Sequence, residues 1–204
     1  MHKKVSEDVV NNNIIYRTLE IGAGNLNHLS HEQPKGIYDI VEPFQDLYAS
    51  SSLLRFVSNT YTDVCNIPQG SKYDRIISIA TFEHICNLPD VVARCGILLD
   101  NKGVVRIGIP SEGSVLWWLG WKLTTGLEFR IKYNLDCSVL MKYEHVNSAP
   151  EVEETLKYFF KHVKRKVFWS FKVFSFYCFY ECKYPKNSIC EDFLEFSCSA
   201  NDGL

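Results

Sequence analysis

Short runs of apolar and β-branched residues alternate with longer mixed segments along the first half of the chain. Such runs predict buried strands, and we place five at residues 16–21, 36–41, 75–80, 104–109 and within 55–62. Helical spacing predicts helices over 44–54 and 90–99, and residues 100–103 have turn composition. This alternation predicts an α/β fold whose strand carboxyl ends share one edge, where a ligand would bind.

The second half has a different pattern. Ser148 and Glu151 form a capping box, which predicts a helix start. The helix has one apolar face and ends in a run of cations, which favour the end of a helix dipole. The face contains Val152, Leu156, Phe159, Phe160 and Val163, and the cations are Lys161, Lys164, Arg165 and Lys166. Residues 168–180 are aromatic and predict one or two strands.

Length, charge and composition limit the classes of function that the chain could have. The chain has 204 residues, a size that suits one domain, and a formal charge of -2 gives no support for nucleic-acid binding. The start of the chain is polar, which does not fit a signal peptide, and the apolar stretch 167–180 is too short to span a membrane. We therefore expect a cytoplasmic protein without stable membrane insertion. Its eight cysteines include no C-x-x-C pair and predict reduced thiols and no metal site.

A glycine turn follows the first predicted strand, in the order Glu20-Ile21-Gly22-Ala23-Gly24-Asn25. Gly22 and Gly24 allow a sharp turn and close approach of a ligand. A dinucleotide site would have a third glycine at position 27, where this chain has Asn27. The carboxylate of Glu20 suits an ammonium group better than a diphosphate. The turn therefore favours a nucleoside cofactor without phosphates.

Two more carboxylates follow the next two strands. Glu42 ends the second strand, where it can accept both ribose hydroxyls. Asp63 follows the third strand, where it can accept from an adenine amino group beside the Val64 backbone. Two carboxylates in this order after the glycine turn indicate a cofactor site more specifically than the turn alone.

With these residues the sequence resembles the class I S-adenosylmethionine-dependent methyltransferases, especially the small-molecule, methyltransferase type 11-like group. The resemblance covers residues 16–111 and rests on 19–24, 38–43, 62–64 and 73–84. It implies a Rossmann-like, seven-stranded, mostly parallel sheet with helices on both faces and a C-terminal antiparallel hairpin, for which residues 168–185 are suitably placed. One departure is the short space for a helix after the glycine turn, between residues 25 and 30.

The resemblance also implies S-adenosyl-L-methionine as the cofactor. The residues that would bind it are Glu20, Gly22, Ala23, Gly24, Asn25, Glu42, Pro43, Asp63, Val64, Ile79 and Ala80.

Base-modifying relatives carry an Asp/Asn-Pro-Pro-Tyr/Phe motif after the fourth strand, whereas this chain has residues 78–84 without it. We therefore expect a small-molecule acceptor with a hydroxyl or amine. The family subgroup also resembles enzymes of bacterial surface polysaccharide biosynthesis, which suggests a sugar.

Catalytic candidates are His84 and His145 as bases, with Glu83 to orient His84 or bind the acceptor. Alternatively, the Glu83-His84 pair simply opens a helix. His28 and His31 are expected at the surface.

We expect one domain over residues 1–204 with a substrate-covering insertion at about 111–147. Ser111, Trp117 and Tyr143 are its candidate substrate-binding residues, although its aromatic side chains could instead pack on the sheet or touch a membrane. Two other functions remain open, an NAD(P)-dependent oxidoreductase and a non-catalytic binding module that kept the fold. The sequence predicts no oligomeric state.

Overall fold

The computed structural model of the protein describes residues 1–9, 16–110, 146–170 and 175–201. Its strands are β1 (Thr18–Ile21), β2 (Tyr38–Val41), β3 (Asn59–Tyr61), β4 (Tyr73–Ile79), β5 (Leu99–Pro110), β6 (Phe160–Ser170) and β7 (Ser175–Pro185). Its α-helices are α1 (His2–Val5), α2 (Leu88–Leu98), α3 (Ala149–Phe159) and α4 (Asn187–Asn201). Short 3-10 turns cover Ser6–Asp8, Asn27–Ser30, Gln45–Leu47, Ser52–Phe56, Val64–Asn66 and Phe82–His84.

The strands form one seven-stranded sheet in the order β3-β2-β1-β4-β5-β7-β6. The first five strands are parallel, and β7 runs antiparallel between β5 and β6. Every residue of β1 and β2 is buried, as expected for parallel strands covered on both faces. The predicted Rossmann-like sheet with its antiparallel C-terminal hairpin is confirmed.

One face of the sheet is covered by helices and has an apolar core. Leu19 and Ile76 from the central strands and Val105 from β5 point to this face, where helices α2, α3 and α4 pack. Each helix contributes side chains that are almost fully buried, such as Val92, Leu156 and Cys190. We call this side the helix face.

The opposite face is covered by the N-terminal segment, residues 1–8, and by several of the 3-10 turns. Val5, Leu29 and Tyr48 pack there against Ile77 and Phe179 of the sheet. The buried charged residues Arg75 and Arg106 also lie on this side, where both hold the backbone of the N-terminal segment. We call this side the charged face.

The capped helix is shorter than predicted. It begins after Ser148 with the expected capping box, but α3 ends at Phe159 and the chain continues as β6 from Phe160. The reason is long-range pairing, because β6 is hydrogen-bonded to β7 from Phe160 opposite Pro185 to Ser170 opposite Ser175. The cations at 161–166 are therefore strand residues, and their interpretation as helix-end charges was wrong.

Three further elements differ from the sequence prediction. Residues 44–54 form 3-10 turns rather than a helix, and two of the apolar residues whose spacing suggested that helix, Phe44 and Leu47, are 69% and 50% exposed. Strand β5 already begins at Leu99, and the predicted turn at 100–103 coincides with a register shift against β4. Helix α4 was not predicted at all. The proposed insertion at 111–147 lies outside the described residues except for its last two positions.

Candidate cofactor and acceptor site

A cavity of about 630 Å³ lies at the carboxyl edge of the four neighbouring strands β3, β2, β1 and β4. Its volume is within the usual range of small-molecule sites. All the proposed cofactor residues line it, namely Glu20, Gly22, Ala23, Gly24, Asn25, Glu42, Pro43, Asp63, Val64, Ile79 and Ala80. The fold thus brings these residues, which are dispersed over 61 positions of sequence, to one concave surface.

The glycine turn has the backbone conformation that its residues allow. Gly22 and Gly24 have φ angles of 74° and 52°, in the left-handed region that favours glycine. A Cβ atom on Gly22 would lie 2.2 Å from the Thr81 hydroxyl oxygen, so no larger residue fits there without a shift of the chain. After the turn, the chain makes only the 3-10 turn Asn27–Ser30. The short space predicted between residues 25 and 30 therefore contains no α-helix.

Glu42 is fixed at the edge of the cavity by two backbone groups. The Gly24 N–H donates to one carboxylate oxygen at 2.8 Å, and the Phe44 N–H donates to the other at 3.1 Å. The side chain is buried, and its backbone N–H donates to the Tyr61 carbonyl of β3 at 2.8 Å. The carboxylate is thus held between the glycine turn and the loop after β2.

Asp63 lies at the β3 end of the same cavity. Its carboxylate accepts from the Cys65 N–H at 2.7 Å, and this hydrogen bond lowers the pKa of Asp63. Val64, the next residue, is buried. An ionised acceptor and an apolar surface therefore lie side by side at this end.

Glu20 is buried on β1 and accepts a hydrogen bond from the Tyr38 hydroxyl at 2.8 Å. Burial disfavours the charged form and raises the pKa of Glu20 to about 7. Near neutral pH the carboxyl is therefore only partly ionised, and a cationic ligand group beside it would draw it into the charged form.

His84 is in the turn after β4, where it lines the cavity with a side chain that is 41% exposed. Glu83 is buried and is not among the lining residues, although its carboxylate comes within 3.9 Å of the His84 ring. The turn is held from outside by residues 146–147, since the N–H groups of Val146 and Asn147 both donate to the Glu83 carbonyl. The amide group of Asn147 donates to the carbonyls of Phe82 and Ile85 at 2.9 and 2.6 Å.

Eleven further described residues line the cavity that the sequence did not identify as site residues, among them His2, His28, Phe44, Leu47 and Thr81. His28 is 1% exposed, so its expected surface position was wrong. The sequence pattern did not indicate His2 as a site residue, because its position depends on contacts of its segment with residues about 70 and 100 positions away in the chain. The candidates Ser111, Trp117, Tyr143 and His145 lie outside the described residues.

Neither a family model nor a curated protein sequence matches the chain. Solved structures match it at low identity. NodS, an N-methyltransferase of Bradyrhizobium japonicum in complex with S-adenosylhomocysteine, has a TM-score of 0.64 at 12% identity over 91% of this chain and 86% of its own. BpumL, the plantazolicin methyltransferase, has a TM-score of 0.63 at 15% identity over 90% and 82%. The CurJ carbon methyltransferase has a TM-score of 0.57 at 19% identity over 90% and 54%.

The chain has the class I methyltransferase fold. It spans about half the length of the CurJ chain and of phosphoethanolamine N-methyltransferase 2 from Haemonchus contortus. Within the described part of this fold, no helix is both long and apolar enough to cross a membrane. The described residues also include no group of three or more His, Cys, Asp or Glu side chains that could hold a metal ion.

Proposed function

We propose that the protein is an S-adenosylmethionine-dependent methyltransferase that acts on a hydroxyl or amine of a small molecule. The observation that carries the proposal is the fixed carboxylate of Glu42 at the edge of a cavity in a class I methyltransferase fold. A carboxylate whose rotamer is set by two backbone N–H groups is preorganised to accept from a pair of neighbouring hydroxyls. The ribose of the cofactor carries such a pair.

The adenosine half of the cofactor would lie across the ends of β2 and β3. Glu42 accepts from the ribose, and Asp63 accepts from the adenine amino group, with buried Val64 beside the ring. Phe44 and Leu47 line the same end and are largely exposed, so a bound adenine would remove apolar surface of both from water. Their exposure is consistent with a surface that a ligand completes.

Bound S-adenosylmethionine supplies a methyl group on a sulfonium, ready for in-line displacement. The residues of this chain would align the acceptor and remove its proton. His84 is the candidate base, because its ring lines the cavity at the end of β4 and an imidazole can take a proton near neutral pH. Glu83, which is buried next to it, would act only through His84.

Several finer predictions remain part of the proposal. The acceptor atom is a hydroxyl oxygen or an amine nitrogen, since His84 would serve as a base for either. The solved relatives include both a carbon and an N-methyltransferase, so they do not select the atom. A sugar acceptor has no support among the described residues. His145 as a second base and Ser111, Trp117 and Tyr143 as acceptor contacts stay predictions from the sequence.

The proposal is tested by calorimetric titration with S-adenosylhomocysteine. Intact protein should bind with micromolar affinity, and Glu42→Ala should lose about 100-fold because two hydrogen bonds to a charged group disappear. Asp46→Ala is the matched control, because Asp46 is an exposed acid in the same loop that does not line the cavity. Its affinity should remain unchanged.

Glu42 also holds the Gly24 and Phe44 backbone, so Glu42→Ala could act by loosening the turn. Glu42→Gln keeps an acceptor oxygen for one backbone N–H and should bind more tightly than Glu42→Ala. Intact protein that fails to bind S-adenosylhomocysteine would refute the proposal. Binding of NADH in its place would favour the oxidoreductase.

A further inference from the structure

We propose that His2 and His28 form a subsite for the amino-acid end of the cofactor, which makes the N-terminal segment part of the binding site. The inference rests on the proposed function, because it assumes that the cavity binds S-adenosylmethionine. Both rings line the cavity, and the two Nδ1 atoms are 3.3 Å apart. No other part of the described chain places two imidazoles against this cavity.

His28 is rigidly held. Its ring is 1% exposed, and its Nε2 atom lies 2.9 Å from the Glu32 carboxylate. Glu32 in turn accepts two hydrogen bonds from the Arg75 guanidinium, at 2.7 and 3.0 Å. Burial alone would raise the pKa of Glu32, but the hydrogen bonds and charges of His28 and Arg75 lower it to about 2. An ionised Glu32 thus lies in close contact with the buried His28 ring.

His2 is held in place by the anchoring of the N-terminal segment. Arg75 and Arg106 each donate to the Val5 carbonyl at 2.9 Å, and Arg106 also donates to the Lys4 carbonyl at 2.8 Å. The Val5 side chain is fully buried, and Asp8 accepts from Arg75 at 2.9 Å. These contacts keep the segment on the sheet, so that His2 forms a defined part of the cavity wall.

The position of the two histidines in the cavity indicates the amino-acid end of the cofactor rather than its adenosine. In the proposed orientation, adenosine occupies the ends of β2 and β3, at Glu42 and Asp63. Neighbouring strands are about 4.8 Å apart, so the rest of the cofactor extends over the end of β1. There the cavity is lined by the glycine turn, by Glu20 and by the two histidines.

The chemistry of the pair also fits this end, where the ligand is a zwitterion with an ammonium and a carboxylate. Burial, with smaller contributions from His28 and His31, lowers the pKa of His2 to about 4. Near pH 7 its ring is therefore neutral, with Nδ1 paired with His28 and Nε2 as the second ring nitrogen, which can donate or accept according to the tautomer. Partly ionised Glu20 supplies a carboxyl to the same cavity. A neutral imidazole nitrogen and a titratable carboxyl in one cavity match a ligand group without net charge.

The experiment compares two ligands that differ at this end only. S-Adenosylhomocysteine carries the amino acid, whereas 5′-methylthioadenosine has the same adenosine with a methyl group in its place. His2→Ala should weaken binding of S-adenosylhomocysteine about tenfold, as expected for one lost hydrogen bond, and leave binding of 5′-methylthioadenosine within twofold. His2→Gln keeps a polar group near the ring position and should recover part of the affinity.

His31→Ala is the matched control. Its ring stacks on His2 with centroids 5.0 Å apart, but it is exposed and does not line the cavity. It should leave the affinity for both ligands unchanged. Equal weakening of both ligands by His2→Ala would overturn the inference, because the effect would then come from a changed cavity. Unchanged affinity for both would overturn it as well. Failure of the intact protein to bind S-adenosylhomocysteine would instead refute the proposed function itself.

Discussion

The two faces of the sheet are stabilised in different ways. The helix face buries apolar side chains under α2, α3 and α4. On the charged face, the described residues contain no helix longer than five residues, and the centre of that face is a network of Arg75, Arg106, Glu32 and Asp8. The hydrophobic effect is non-directional, whereas hydrogen-bonded ions fix directions and distances.

The candidate functional groups are also divided between the two faces. Glu20, His2 and His28 approach the cavity from the charged face, and the charged network anchors the segments that carry the two histidines. The helix face supplies the support for the turn with His84, through residues 146–147 just before the cap of α3. Fixed polar geometry is thus found where a zwitterionic ligand group is proposed to bind.

The largest effect is expected from breaking the charged network. Arg75→Met removes a fully buried guanidinium and leaves Glu32 and Asp8 without their main partner. Removing one member of a buried ion pair costs about 3–5 kcal/mol, and we expect a loss of unfolding free energy in this range by urea denaturation. Arg94→Met, which removes a partly exposed arginine paired with Asp90, should cost about 0.5 kcal/mol. Similar losses for both variants would show that the network is not stabilising.

Leu156→Ala tests the helix face with a loss of unfolding free energy comparable to that of Arg75→Met. It deletes a fully buried side chain of α3 and should lose about 2–5 kcal/mol. We expect it to leave the affinity for S-adenosylhomocysteine unchanged at temperatures where it is folded. Arg75→Met should weaken that affinity, because the wall that contains His2 loses its anchor. Equal affinities in the two variants would remove the functional distinction between the faces.

A smaller effect is expected from Glu20→Gln. Burial raises the pKa of Glu20 to about 7, so the folded protein binds a proton here that the unfolded chain releases near pH 4.5. Stability contributed by this group is therefore lost as pH rises from about 4.5 to about 7. Relative to the intact protein, the free energy of unfolding of Glu20→Gln should therefore increase by up to about 3 kcal/mol as pH rises through this window.

This prediction has to be measured as a difference between the two proteins. His2, with its lowered pKa, has the opposite effect, since the unfolded chain binds its proton between about pH 4 and pH 6.5. Urea unfolding of both proteins is measured at pH 5 and pH 7.5. The contribution of His2 is the same in both proteins and cancels in the difference between them. A difference that does not change with pH would mean that Glu20 is already ionised in the folded protein.

The smallest effect is expected at the start of α3. The Ser148 hydroxyl, which the substitution to alanine removes, and the Ser148 backbone N–H donate to the Glu151 carboxylate at 2.6 and 2.7 Å, and Ser148 is the N-cap residue of a capping box. Ser148→Ala should cost about 1 kcal/mol in urea denaturation. Ser199→Ala in the last turn of α4, away from any N-cap, should have little effect or stabilise slightly, because alanine is a better helix former than serine. Equal effects would mean that the cap does not contribute.

The sequence was sufficient to predict the parallel half of the sheet and one end of the cavity. Glu42 and Asp63 are close to strand ends in the chain, so local pattern and strand order determine where they lie. β6 could not be predicted in the same way, because pairing with β7 overrides a capped and amphipathic segment. His28 was misplaced because its burial depends on Glu32 and Arg75, and His2 was missed because Arg106, about a hundred residues away, anchors its segment.

The position of β6 has a consequence for association between copies of the chain. Among the described residues it is an edge strand of eleven residues, and an unpaired edge is a template on which another strand can add. Lys161, Lys164, Arg165 and Lys166 are all exposed along it. A second copy that approached edge to edge would bring two rows of cations together and would have to remove them from water. The charges that led to the prediction of a helix end therefore oppose edge-to-edge addition of a second copy at this strand.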